Sequence, residues 1–389
     1  MLKEDVLNCE VDSGAVGLRL FDDGSNPRFS DRQTAAMALG VAWVPLVLLG
    51  LVQGLAWGAT RAESVVLDPA MIARFLIALP ILILSASNCS CSIDAVVRHF
   101  QQAELVQEAD KQSFLGIIAS TNRLRGSRAV TWTCWALAYA YSVLFVLWVL
   151  PGMSISWRAL DVEGRHSLSL AGWWFVAVSE PLYLFVLLRF FYQIALWWRF
   201  LWKTSRLNLQ LHAVHPDGAG GLAFLGLTLF PFRVPAFAIS ASFAGAVANA
   251  VLIRGARVNN FRYEILAIVL FVVGLFVLPL AYFYYRELSK ARQRDTLSYW
   301  RLNDAQLRQF EKKWIASYSD QADMLAVADF SEAIDLSSIL QNAQKMTLQP
   351  FQRGAVVRLV LAAGLPFLPV LALEYPVSEI LKAILKMLG

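Results

Sequence analysis

The chain has 389 residues, of which 57% are hydrophobic and only 16% charged, with a formal net charge of +5 at pH 7. Soluble domains carry about 25% charged residues, so the deficit argues against an ordinary water-soluble domain and points to lipid as the solvent. The positive excess sits in loops beside apolar runs, where topology signals belong, and is not a nucleic-acid signature.

Residues 1–34 hold Glu4, Asp5, Glu10, Asp12, Asp22, Asp23 and Asp31 with no apolar run behind a basic start. They read as a cytosolic N-terminal segment, not a signal peptide, and the first apolar run as an uncleaved anchor. A transmembrane bundle is expected over residues 35–285. Span 1 covers Ala35–Trp57 and span 2 Met71–Ser87, with Pro80 inside it. The polar stretch 93–128 has helix formers but no continuous apolar face. It is expected in the cytosol as a helical hairpin or an extension of its neighbours. Span 3 covers Ala129–Leu150, ended by Pro151-Gly152, and a short polar loop leads to span 4, Ala171–Trp198. Trp173 and Trp174 at one end, with Trp197, Trp198 and Trp202 at the other, fit two interfacial belts.

Span 5, Leu222–Ile253, is long for a bilayer. Its length as straight helix would be roughly 48 Å, against a hydrocarbon core of about 30 Å. A strong tilt, a kink or a split is therefore expected, and Pro231 and Pro235 mark the break. Span 6 covers Phe261–Tyr285, and its helical pattern runs on into a cytosolic helical region, 286–353. Residues 354–389 hold a seventh apolar run, Ala355–Leu373, interrupted by Pro366 and Pro369, which either crosses or re-enters. The tail Pro376–Leu388 then places Val377, Ile380, Leu381, Ile384, Leu385 and Leu388 on one helical face, suited to a membrane surface or a partner subunit. The fold class is thus all-α: a polytopic membrane helix bundle of six or seven transmembrane helices, with a broken helix 5 and cytosolic helical extensions.

Orientation follows from Lys and Arg. The N-terminal segment and loops 93–128, 199–221 and 286–358 hold 23 of them, against nine in the alternate loops and the tail. The N-terminus is expected in the cytoplasm. Cys9, Cys89, Cys91 and Cys134 are too scattered for a disulfide framework, and Cys89 and Cys91 read as small apolar fillers.

Charges inside spans need an inward-facing partner or water, because each costs about 2.5–3.5 kcal/mol on insertion scales. Glu180 precedes Pro181, which leaves the carbonyl of Ala177 free beside the carboxylate. Arg233 lies between two prolines in span 5. The two residues read either as an ion or solute pathway or as an ion pair that pins two helices. Arg189 points to the face opposite Glu180 and is expected to snorkel to the cytoplasmic side, while Glu264 reads as interfacial. The turn His212, His215, Asp217, Gly220, Gly221 offers three readings. It is a capping turn, an anion or headgroup contact through free N–H groups, or a metal cluster, the last disfavoured because Pro216 ends any helix. No nucleotide loop, nucleophile elbow or zinc-helix motif occurs, so no catalytic residue, metal or cofactor is assigned.

The HPDGAGGL turn, with QPFQRG and EYPVSEILKAILKML, resembles a pattern in uncharacterised bacterial multi-pass inner-membrane proteins. The resemblance covers residues 211–226 and roughly 345–389. It implies a bacterial inner-membrane setting with the lipid bilayer as partner, and no activity. Three functions fit: a channel or transporter subunit for an ion or small solute, and an interaction or scaffold subunit contacting a second copy or partner through 290–350 and 376–388. The third is a membrane enzyme acting on lipid or phosphorylated headgroups.

Overall fold

The computed structural model describes residues 31–58, 60–149, 156–162, 165–312 and 327–375. The helices in chain order are α1 (Asp31–Val52), α2 (Pro69–Gln102), α3 (Lys111–Arg125), α4 (Arg128–Trp148) and α5 (Leu170–Thr204). They continue as α6 (Ala223–Arg254), α7 (Arg262–Phe310), α8 (Val327–Lys345) and α9 (Arg353–Leu371). Among the described residues seven helices are long and apolar enough to cross a membrane: α1, α2, α4, α5, α6, α7 and α9. The chain is an all-α integral membrane protein of the multi-pass kind. A two-stranded antiparallel hairpin, Ala159–Val162 with Arg165–Leu168, interrupts the helices between α4 and α5. We call its side of the bundle the hairpin face and the opposite side the turn face.

Polar ties at both ends fix which helix ends share a face. On the hairpin face Leu170 N–H donates to the Gln53 side chain at 2.8 Å, and Val258 N–H to Glu374 at 2.6 Å. On the turn face Gln210 N–H donates to the Leu105 carbonyl at 2.8 Å, and Thr347 N–H to the Gly218 carbonyl at 2.8 Å. Helix α9 therefore starts on the turn face and ends on the hairpin face. The seventh apolar run therefore extends from one face of the bundle to the other.

Prolines shape the spans locally. Pro80 and Pro181 each carry no N–H, and each ring would strike the carbonyl four residues back, at Leu76 and Ala177. Both carbonyls lie in wide π-helical turns, Ile72–Ala78 in α2 and Phe175–Ser179 in α5, which relieve that clash. The break expected at Pro231 and Pro235 lies elsewhere. Helix α6 opens as a 3-10 turn, Ala223–Thr228, and is then continuous α-helix from Leu229 to Arg254. Pro231 falls in its first turn, where no N–H is needed, so only Pro235 removes an internal bond.

Two further expectations are corrected. The 93–128 stretch does have an apolar face. Helix α2 runs on into it as far as Gln102, burying Ile93, Val96, Val97 and Phe100 in one core with Phe114, Ile117 and Ile118 of α3. The second tryptophan belt is incomplete, because Trp197 is only 2% exposed and stacks on Phe200, while Trp198 donates to the Leu275 carbonyl at 3.0 Å. Cys89 is a buried free thiol as expected, whereas Cys91 is disulfide-bonded. The N-terminal segment and the amphipathic tail also lie outside them. Helix α7 continues unbroken for 49 residues, well past the membrane, and α8 packs along it.

Candidate functional site

The densest set of charges within the bundle lies toward the hairpin face, and it begins at a helix cap. Asp68 precedes Pro69 at the start of α2 and accepts the N–H of Ala70 at 2.9 Å, the geometry of an N-terminal cap. The same carboxylate, 2% exposed, also accepts Trp157 Nε1 at 3.0 Å, Arg158 at 2.8 Å and Asn249 Nδ2 at 2.7 Å. One aspartate thus joins α2, the hairpin stem and α6. The Arg158 guanidinium lies over the rings of Trp157 and Phe175, at 4.8 and 4.9 Å.

Deeper along α2, Arg74 reaches Glu180 of α5, with one guanidinium nitrogen 2.7 Å from each carboxylate oxygen. Glu180 is 3% exposed, and Arg74 also lies over the Tyr183 ring at 5.3 Å. Tyr183 in turn donates to Ser242 of α6 at 2.6 Å, which ties the pair to the third helix. The π turns of α2 and α5 carry Arg74 and immediately precede Glu180, and a third π segment, Phe145–Val149, extends α4 beside them. Such turns widen a helix and turn side chains out of regular register.

These side chains enclose a cavity of about 150 Å³ lined by Arg74, Arg158, Glu180, Tyr141, Asn249 and Arg254, among others. At about 30 Å³ per molecule it has room for roughly five waters. Its charge is unbalanced. Asp68 and Glu180 offset two cations, and Arg254, exposed at the end of α6, has no ion pair or hydrogen bond among the described residues. The Nε atoms of Arg74 and Arg158 are buried without a protein partner. Unused donors and one surplus positive charge suit a small anion or its hydration shell. No group of three His, Cys, Asp or Glu side chains among the described residues is arranged to hold a metal.

The expected Glu180–Arg233 pairing does not form. Arg233 lies 21 residues before the hairpin-face end of α6, roughly 32 Å, whereas Glu180 is ten residues into α5, roughly 15 Å from that face. Arg233 instead donates through Nε to the Phe230 carbonyl at 2.9 Å, lies over the Phe230 ring at 3.8 Å, and shares a pocket with Arg358. Arg189 reaches the Arg125 carbonyl at 3.2 Å, on the turn face. Glu264 is exposed in the first turn of α7.

The His212–Gly221 turn is closed on itself. Asp217 Oδ1 accepts the N–H groups of Ala219 and Gly221 at 2.8 and 3.0 Å, and Oδ2 accepts Ala223 N–H at 2.9 Å. Burial would raise this carboxyl, but those three backbone donors and His215 outweigh it and hold it below the ordinary aspartate range. Gly220 and Gly221 adopt φ of +66° and +96°, and a Cβ on Gly220 would come within 2.7 Å of Met346. The anion or headgroup contact expected there needed these N–H groups, and the carboxylate has already taken them. His215 Nδ1 stands 2.9 Å from Asp217, while His212 is exposed. The turn is a joint between α6, α7 and residues 346–347.

Asp68, Arg74, Arg158, Asn249 and Arg254 went unread in the sequence. Two signals were present: the Asp68-Pro69 cap, and Arg74 inside the apolar run MIARFLIALP, where counting it with the loop hid it. In comparisons with known proteins, the chain matches no family model, no curated protein and no solved structure.

Proposed function

We propose that the chain is a channel or transporter subunit for a small anion, with the hairpin-face cavity as its loading site. The observation that carries this reading is the charge of that cavity: Arg74, Arg158 and Arg254 line it against Glu180, with Asp68 behind Arg158, and the buried Arg74–Glu180 pair reaches in from the hairpin face. Charged groups at membrane depth mark solute paths when they line a polar cavity, and helix irregularity is tolerated there for the same reason. The Lys and Arg bias supports a cytoplasmic turn face, and with that orientation in a bacterial inner membrane the cavity would open outward.

The test is anion flux into liposomes reconstituted with the full chain, with chloride, nitrate, phosphate and small carboxylates as probes. Flux of at least one probe that falls about tenfold in Arg254→Gln supports the reading. Liposomes that pass none of them overturn it. A second reading, an interaction or scaffold subunit, draws on α7 beyond the membrane. Leu297, Trp300, Leu302 and Leu307 are large apolar side chains exposed there, within the 290–350 region. Cross-linking to a second copy or partner that is lost on deleting 290–350, with no flux, would favour it.

A further inference from the structure

On the other side of α6 from the charged cavity, a second set of features forms a groove between α6 and α9. Arg233, Phe237, Ala241, Ala244 and Ala248 follow one another at spacings of four, four, three and four residues, so they form a single stripe along α6. Three of the five are alanine, and small residues leave the stripe hollow. Opposite them, α9 cannot fill the space. Its α-helix ends at Gly364 and passes through a 3-10 turn, Leu365–Phe367, with Pro366 and Pro369 preventing a regular face. The result is an apolar cavity of about 720 Å³, walled by Leu365, Pro366, Leu368 and Pro369 and floored by Ile72 and Ala73 of α2.

The turn-face end of this stripe is basic. Arg233, one helical turn before the Phe237 of the cavity wall, and Arg358 line a second pocket of about 210 Å³ together with Gln352. Neither arginine has a carboxylate partner among the described residues. Each turns its Nε onto a carbonyl of its own helix, Phe230 at 2.9 Å and Gly354 at 3.0 Å, and the terminal nitrogens have no partner among the described residues. Two like charges brought to one pocket repel unless an anion lies between them. A guanidinium pair matches phosphate oxygens in shape and charge.

We infer that this groove binds an anionic phospholipid, with its phosphate between Arg233 and Arg358 and one acyl chain in the apolar cavity. The stripe from Arg233 to Ala248 is roughly 22 Å long, more than the ~15 Å of one leaflet's hydrocarbon, so a full chain fits along it. A soluble anion would use the arginines and leave the groove unexplained. A partner helix would use the groove and have no need of two arginines.

The test is native mass spectrometry of the full chain in detergent, titrated with an anionic or a zwitterionic phospholipid of the same acyl chains. One anionic lipid bound at least about tenfold more tightly than the zwitterionic one is expected, and the preference should vanish in the Arg233→Gln/Arg358→Gln double variant. Ala241→Phe, which fills the groove and leaves both charges, should weaken retention of the anionic lipid by a similar factor. Equal binding of both lipids, displacement by inorganic phosphate at millimolar concentration, or full retention in Ala241→Phe overturns the inference. Anion flux through the Arg254 cavity is read separately, so failure of one proposal leaves the other standing.

Discussion

Two aspartates at opposite faces of the bundle do similar local work with opposite consequences. Asp68 caps α2 and Asp217 closes the turn before α6, and each accepts several hydrogen bonds in a half- or fully buried site. Asp217 accepts three backbone N–H groups of its own turn and has His215 Nδ1 at 2.9 Å, so its oxygens are satisfied within the turn. Asp68 takes donors from an arginine, an asparagine and a tryptophan on other elements. An arginine brings five N–H groups and one carboxylate cannot occupy them all. Polar sites built from side chains therefore have spare capacity that backbone-closed turns lack. That difference separates a candidate binding cavity from a structural joint.

The comparison is open to attack, beginning where the effect is largest. Glu180→Ala leaves Arg74 buried without its partner and should cost about 3–5 kcal/mol, while Arg74→Met/Glu180→Met should recover most of it. Unfolding in mild detergent followed by circular dichroism reads both, and equal losses in the single and double variants would break the claim that the two act as a pair. Gly245→Leu comes next. Any added side chain there meets the Pro69 carbonyl at 2.8 Å as well as Ala73, so α2 and α6 must part, at about 1–3 kcal/mol. Asp217→Ala strands buried N–H groups at 219, 221 and 223 and should also cost about 1–3 kcal/mol, without changing flux.

The pH dependence of that joint has a definite sign. The folded carboxyl of Asp217 lies below its ordinary value of 3.8, so its stabilisation is complete above that value and is lost as pH falls through the folded one. The contribution of Asp217 to melting temperature should therefore be full and independent of pH near neutrality, and the wild-type advantage over Asp217→Asn should shrink only below about pH 4. The smallest stability effect belongs to Arg254→Gln, within about 0.5 kcal/mol, since the side chain is exposed and unpaired. Its effect on flux should be large, and a variant that lost stability and kept flux would reverse the assignment.

Much of the architecture was legible because lipid imposes one simple requirement. Spans must be long, apolar and helical, and six of them announced themselves by run length alone. The seventh was ambiguous because Pro366 and Pro369 interrupt it, and only contacts at both ends show that it runs from one face of the bundle to the other. The 159–168 hairpin went unread because its apolar positions alternate over too few residues to stand out from a polar loop. Glu180 was recognisable as a charge that needs a partner. Its partner was not, since Arg74 lies 106 residues away and pairing at that separation is set by packing, which no local pattern encodes. Arg233 drew notice for the same chemical reason, but membrane depth along two different helices kept it from Glu180.

The unbroken α7 has a mechanical consequence. Its 49 residues make a rod of roughly 74 Å, of which about 44 Å projects beyond a 30 Å hydrocarbon slab. Its inner part packs through Tyr284 on Thr204 of α5 at 2.7 Å, the helix that also carries Glu180. A tilt of about 5° beyond Pro279, which leaves the Leu275 carbonyl to Trp198, would sweep the far end by roughly 4 Å. The helix is a lever, and a small rearrangement around the buried arginines would be felt, enlarged, at its tip.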